Sequence, residues 1–435
     1  MIFDLIIRKA KIVTPTGVIE GDIGVHKGII SKIGGTIPQK APVEKDGTGL
    51  FALPGTIDMH VHFRDPGNPE KEDFGTGSAA AAAGGVTTII DMPNTTPSTT
   101  TCQALEEKRA AAALKSHVNY GFFFGLTHDN LHEIKNAKNI AGVKVFLAQS
   151  TGGLMVHDSA TIEKLFELGK FTIFHAEDER IISEHQKKYK GSVDPSIHSL
   201  IRSSGAAFEA VKLVLHLAKK HNARVHITHV SSQEEVKELR KFHGPLVSAD
   251  CTPHHLFLTQ SAYHDRGNYV KMNPPLRTNE DRQALWKGLK DGIIQAVASD
   301  HAPHTKTEKE KSYELAPAGV PGVETLLPLL LDSVNHGEIS LREVARFTSQ
   351  NPAALLGIQK KGKIEAGFDA DLVLVDMEKE MEVGKHGFFT KCGWSPFSGW
   401  KLKGWPIMTF VGGQIVYENN AVHKNIRGKE VYFSS

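Results

Sequence analysis

Cysteine is scarce: three residues in 435, Cys102, Cys251 and Cys392, lie far apart and form no CxxC pair. That argues against a disulfide framework and against a cysteine zinc site, and it makes a reducing cytoplasm the simplest home. An excess of one charge is lacking too. Lys and Arg total 51 against 49 Asp and Glu, a net of +2, which gives no electrostatic case for nucleic acid or another polyanion. Long apolar runs are missing, and stretches such as "ETLLPLLLDSV" are too short to cross a bilayer. The opening residues, MIFDLIIRKAKIV, carry Asp4 and Arg8 inside the apolar run and lead to no small-residue cleavage site. No signal peptide is read there, so the expectation is a soluble chain without membrane or nucleic-acid partners.

What is present is two textures. Residues 1–52 read as short strands with recurring glycine turns, and the same pattern returns in "GKIEAGFDADLVLVDM" and "GWPIMTFVGGQIVYEN". The two ends, 1–52 and 358–435, are expected to meet in one small β module. Between them, over 53–357, eight apolar runs alternate with helical segments: 55–60, 86–92, 117–123, 142–147, 171–175, 224–229, 246–251 and 294–299. "GAAFEAVKLVLHLAKKHN" carries apolar residues at helical spacing with Asn222 as its stop, and "SAAAAAGG" reads as a helix closing at Gly84-Gly85. From His60 to Asp300 the steps average about 34 residues, close to the size of one βαβ unit. The pattern predicts an α/β protein with a (β/α)8 TIM barrel; a doubly wound open sheet is the alternative.

Such barrels build their sites on the C-terminal ends of the strands, and the unusual polar residues fall there. His60 and His62 follow the first run, Lys144 lies in the fourth, His175 ends the fifth, His229 ends the sixth and Asp300 follows the eighth. His60 and His62, two apart in an extended segment, share a face and can grip one ion, and imidazole suits zinc. Each histidine alone also fits a solvated loop or a backbone-bonded strand end. Their convergence on one barrel mouth favours ligands. His226 is expected to face the helices and serve packing.

Lys144, flanked by Val143, Val145 and Phe146, must find anions, reach water or lose its charge. A lysine with a lowered pKa can take up carbon dioxide as a carbamate. Asp300 fits either a helix N-cap or, beside metal-activated water, a ligand that also shuttles the proton.

The ordered motifs "LPGTIDMHVHFRDPG", "DMPNTTP", "GVKVFLAQSTG", "HAEDE", "HITHVSS", "TPHHLFLT", "NPPLRT", "ASDHAPHT", "AGVPGVET" and "GFDADLVLVD" span nearly the whole chain. In them the sequence resembles the amidohydrolase superfamily and, within it, dihydroorotases of the barrel-plus-β-sandwich kind. The resemblance implies that His60, His62 and Asp300 bind one zinc and His175 and His229 a second. Lys144, carboxylated, would bridge the two together with a hydroxide, and Asp300 would carry the proton. Some dihydroorotases of this group bridge through aspartate, so one zinc or two stays open. For a small cyclic amide bearing a carboxylate, the resemblance assigns Arg64 and Asn94 to the carboxylate. It assigns Asn273, His304 and the backbone of Ala318 and Gly319 to the ring.

Without it, Arg64 reads as a surface partner of Asp65 or Glu70, Asn94 and Asn273 as turn residues, and His304 and Arg277 as exposed. The implied reaction is the reversible interconversion of L-dihydroorotate and N-carbamoyl-L-aspartate in pyrimidine biosynthesis. Hydantoinases and allantoinases share the metal residues and resemble the chain less at Arg64 and His304. Some relatives have lost the metal site and act as silent partners, and here every ligand position is filled. The resemblance also suggests a homodimer and leaves open an association with aspartate carbamoyltransferase.

Overall fold

The computed structural model describes residues 2–149 and 153–434. Alternating apolar residues put β1 (Leu5–Thr14), β2 (Gly17–His26), β3 (Ile29–Ile33), β4 (Val43–Asp46) and β5 (Phe51–Pro54) at the start of the chain. Eight parallel strands follow: β6 (Thr56–Val61), β7 (Val86–Asp91), β8 (Asn119–Gly125), β9 (Gly142–Phe146), β10 (Thr172–His175), β11 (Val225–Ile227), β12 (Val247–Cys251) and β13 (Ala296–Val297). Each pairs with the next. The ring closes where Val61 bridges His301 and the His62 N–H donates to the His301 carbonyl at 2.8 Å. The chain is therefore a (β/α)8 barrel, as its strand count predicts.

The last strands, β14 (Leu372–Glu382), β15 (Lys401–Val411), β16 (Gln414–Glu418) and β17 (Ala421–Val422), join the first five in one nine-stranded sheet. Its order is β17-β16-β15-β14-β5-β1-β2-β3, with β4 on β1. It has its own apolar cluster, including Leu5, Ile12, Val25, Leu374 and Phe410. β5 pairs with β14 as far as Pro54, two residues beyond the expected limit at 52. Near the other end the chain leaves the sheet: Glu430 bridges Tyr120 of β8, and Val431 packs in the barrel's interior cluster.

Strand alternation sorts the barrel's side chains. Val143, Val145, Val225 and Ile227 face outward and pack with Val211, Val214 and Leu215 of the helix Ser204–His221. That helix begins where the Ser203 side chain accepts the Ala206 N–H, and it ends at Asn222 in the left-handed region, φ 50°. Inside, Ile57, Met59, Ile90, Met92, Phe123 and Ile173 fill the barrel, joined by Leu356 and Ile358. With apolar residues filling this part of the interior, the polar groups collect at the C-terminal mouth.

The ladders are shorter than the apolar runs. His117 leaves the third because its N–H bonds Ser78 Oγ, and His229 leaves the sixth because its φ of 41° turns the chain. Among the described residues no helix is long and apolar enough to cross a membrane.

Candidate metal centre and active site

Six side chains converge at the mouth. His60 Nε2 lies 3.3 Å and His62 Nε2 3.1 Å from Asp300 Oδ1. His175 Nδ1 lies 3.0 Å from His229 Nε2. His60 ties the two groups together, its ring centroid 5.2 Å from that of His62 and 5.4 Å from that of His229. Below them Lys144 is fully buried, and its Nζ donates to Thr228 Oγ1 at 3.0 Å.

Ligand atoms of His60, His229 and Asp300 fall within 4.8 Å of one another, an arrangement able to hold a metal ion. Burial holds His60 and His229 far below the usual imidazole range, and lowers His62 and His175 as well. Neutral imidazoles keep the lone pair a metal needs. The nitrogens that face the cluster are His60 Nε2, His62 Nε2, His175 Nδ1 and His229 Nε2, a donor set that suits a metal ion. Burial also brings the Lys144 ammonium down to about 7.

Around these lies a set of acids that the sequence reading missed. Glu177 Oε2 sits 2.8 Å from His175 Nε2 and 2.5 Å from the guanidinium of Arg202. With Nε2–H given to Glu177, His175 aims the lone pair of Nδ1 at His229. In the same way His62 Nδ1 lies 2.6 Å from Asn94 Oδ1, freeing Nε2 toward Asp300. Asp250 accepts the His229 N–H at 2.6 Å and lies 2.8 Å from His226 Nε2. Asp91 accepts the Phe63 N–H and pairs with buried Lys108 at 2.5 Å.

Asp58, raised to about 7 by burial, accepts the Ser299 N–H at 3.0 Å. Its place two residues before His60 assigns it no face, because β6 shifts register between Asp58 and Val61 and breaks the alternation there. His226 departs from expectation: it points into the barrel. It stands in register with Ile173, which pairs with Lys144, while its neighbours Val225 and Ile227 take the helix-facing side. Counting three residues back from His229 misassigned its face because the positive φ at His229 breaks the strand alternation.

One cavity is lined by His60, His62, Arg64, Asn94, His175, His229, Asn273, Asp300, Ala318 and Gly319, with Phe146 and Ala302 added. Lys144 lies beneath it and His304 behind it. Arg64 is not at the surface: it is 4% exposed, and no carboxylate among the described residues pairs with it. Its Nε donates to the Pro303 carbonyl at 3.3 Å, and its other end meets His304 Nε2 at 3.3 Å.

His304 is buried as well, pushed down to about 3 by that burial, and it donates to the Ala318 carbonyl at 3.1 Å. Asn273 Oδ1 lies 2.8 Å from His198 Nε2. Arg277, buried rather than solvent-facing, bonds Ser231 Oγ and the carbonyls of Arg202 and Ser203, away from the cavity. Arg64, His229 and Asp300 all take positive φ, 59°, 41° and 45°, a backbone cost that clusters at working sites.

A parallel barrel that gathers neutral imidazoles and one carboxylate at its strand ends defines a metal-dependent hydrolase. The profile of the amidohydrolase family matches residues 51–416, and the chain belongs to that family. It is similar to the dihydroorotase of Methanosarcina acetivorans, 38% identical over 97% of this chain and 93% of the relative. The dihydroorotase of Halobacterium salinarum is 40% identical over 85% of this chain and 87% of its own. Among solved structures, the L-hydantoinase of Arthrobacter aurescens superposes with a TM-score of 0.94 at 32% identity, covering 99% of this chain and all (100%) of that one. The dihydropyrimidinase of Brevibacillus agri gives 0.92 at 28% identity, covering 99% of this chain and 98% of that one.

Proposed function

We propose that the chain is a dihydroorotase, interconverting L-dihydroorotate and N-carbamoyl-L-aspartate. The observation that carries this reading is Arg64: a buried guanidinium without a carboxylate partner, at the edge of the metal-ligand cluster and against His304. A buried charge left unpaired is costly. A ring carboxylate held in bidentate fashion offsets that cost, and a plain hydantoin or allantoin ring offers none. Full-length similarity to dihydroorotases supports the same substrate.

His60, His62 and Asp300 would hold one zinc and His175 and His229 the other, with Lys144, as its carbamate, between them. When bound, the metals acidify water and polarise the amide carbonyl. Asp300 takes the proton of the attacking water and delivers it to the ring nitrogen as the C–N bond breaks. Glu177 and Asn94 keep His175 and His62 in the tautomers that face the metals. Arg64 and Asn94 hold the carboxylate; Asn273 and the backbone of Ala318 and Gly319 orient the ring. Hydrolysis frees a carboxyl group that ionises, so acid favours ring closure.

The test is turnover of L-dihydroorotate by the purified protein with zinc and bicarbonate, beside hydantoin and allantoin. Preference for dihydroorotate is the expected result. Turnover of hydantoin or allantoin alone overturns the substrate and keeps the chemistry.

A further inference from the structure

Lys309 has no place in the scheme above, yet it is one of the most enclosed polar groups in the molecule, 1% exposed. It ends the short helix Lys306–Lys309, which starts just after His304. Its Nζ donates to three main-chain carbonyls: Lys271 at 3.1 Å, Pro317 at 2.9 Å and Gly319 at 3.0 Å. An ammonium has three N–H donors, and all three are used. Among the described residues no carboxylate forms an ion pair with it.

The carbonyls it gathers come from the two backbone segments that carry Asn273 on one side and Ala318 and Gly319 on the other, residues that line the cavity. The same segments are stitched directly by the Gly319 N–H to the Lys271 carbonyl at 2.9 Å. Gly319 itself has φ 138°, and a Cβ there would meet the Ala302 carbonyl oxygen at 2.5 Å, so only glycine fits where this strip passes the Ala302 carbonyl.

On the outer side of Lys309 lies Trp394, from the long connection between β14 and β15. Its ring centroid is 5.7 Å from Lys309 Nζ, within cation–π range. Its indole Nε1–H donates to the His304 carbonyl at 2.7 Å. An apolar side chain would fill this space at lower electrostatic cost. What the lysine adds is a fixed position for three carbonyls at once.

We propose that Lys309 and Trp394 form a bracket that sets substrate affinity: Lys309 positions the Asn273 and Ala318-Gly319 backbone, and Trp394 positions His304. Both are positioning residues, and neither touches the reacting atoms. The terminal module thereby shapes the barrel's substrate pocket. The inference rests on the ring contacts of the proposed function, and it has a readout independent of them.

The experiment compares wild type with Lys309→Met, which keeps the side-chain length and removes the donors, and with Trp394→Phe, which keeps a ring over Lys309 and removes the N–H. In each protein, loaded with zinc, the measurements are hydrogen–deuterium exchange of the 313–320 segment and KM against kcat on whichever cyclic amide the wild type turns over best. The Lys309→Met protein is expected to exchange faster in that segment and to raise KM at least about tenfold, with kcat within about threefold, the pattern of lost uniform binding.

The Trp394→Phe protein is expected to raise KM about threefold or more, with the same pattern. Folded Lys309→Met with wild-type exchange and KM overturns the bracket. If that variant does not fold, a wild-type KM in Trp394→Phe overturns it. A wild type that prefers another cyclic amide refutes the dihydroorotate reading alone, because the exchange measurement needs no substrate.

Discussion

Replacing Glu177 by glutamine tests the acids around the metal ligands. Glu177 is wholly buried, and its Oε2 is shared by Arg202, at 2.5 Å and 3.0 Å from two guanidinium nitrogens, and by His175 Nε2 at 2.8 Å. At an effective dielectric of about 20, opposite charges about 4 Å apart attract by about 4 kcal/mol. Glutamine keeps an acceptor but deletes the charge, leaving Arg202, 5% exposed, as a buried cation without its partner. Breaking such a pair from one side costs about 3–5 kcal/mol; with one hydrogen bond retained, the lower figure applies.

Urea unfolding of the metal-free protein at neutral pH should therefore show a loss of about 3 kcal/mol. The variant with Arg202→Met added should recover part of it, because no orphan charge remains. Zinc titration adds a second readout: with His175 no longer held in one tautomer, affinity should fall about 10- to 100-fold. An unchanged unfolding midpoint in Glu177→Gln, or strictly additive losses in the double variant, refutes the reasoning.

Arg64→Met should lower kcat/KM for L-dihydroorotate about 10- to 100-fold, the worth of a charged hydrogen-bonded contact. The same change should leave thermal stability equal or higher, because it removes a buried charge without an ionic partner; a loss of stability with activity intact would contradict its assignment. Glu324 gives a pH signature far from the metal ligands. Burial pushes its carboxyl up to about 8, against accepting contacts from the N–H groups of Phe389 and Thr390, and Glu72 beside it adds to the rise.

A carboxyl raised on folding favours the folded state below its unfolded value, near 4.3, and that contribution is lost as pH climbs toward about 8. Glu324→Gln should thus match wild type at pH 4 and exceed it at pH 8. The excess should be about 1–2 kcal/mol, since the side chain keeps some solvent contact. Parallel urea midpoints across that range would refute it.

The barrel was legible because each strand of a parallel sheet buried on both faces writes itself as an apolar run, and eight such runs alternate with helical segments. Candidate ligands were legible for the same reason: a histidine or aspartate interrupting such a run at its end has few reasons to be there. His226 shows the limit. Its face depended on whether the chain stays extended through His229, and only the backbone torsion at His229 answers that. Arg64 was read from its residues alone as a surface partner of Asp65 or Glu70, because nothing local reveals that Pro303 and His304 come round to bury it.

The acids Glu177, Asp250 and Asp91 were illegible for a different reason. Glu177 looks like an ordinary turn carboxylate until the barrel closes and brings His175 and Arg202 against it. Asp91 and Asp250 interrupt apolar runs as the candidate ligands do, and only the closed barrel shows that they face Lys108 and His226. Asp58, in particular, meets Ser299 only because the first and last strands become neighbours.

The site thus divides by what carries each residue. The candidate metal ligands stand on or just past barrel strands, whose positions follow from parallel pairing and a packed interior. The candidate ring contacts stand on loops, and loops must be held. His304 and Asn273 are held by partners distant in sequence, Trp394 and His198, and Ala318 by Lys309 through the Pro317 and Gly319 carbonyls that flank it.

On the proposed function, the chemistry belongs to the barrel and the substrate contacts to what braces its loops. That is why one barrel can keep its hydrolytic centre while relatives differ in the ring they accept. It follows that substrate affinity in this chain should respond to changes at Trp394 and Lys309, outside the cavity, as well as to changes at the residues that line it.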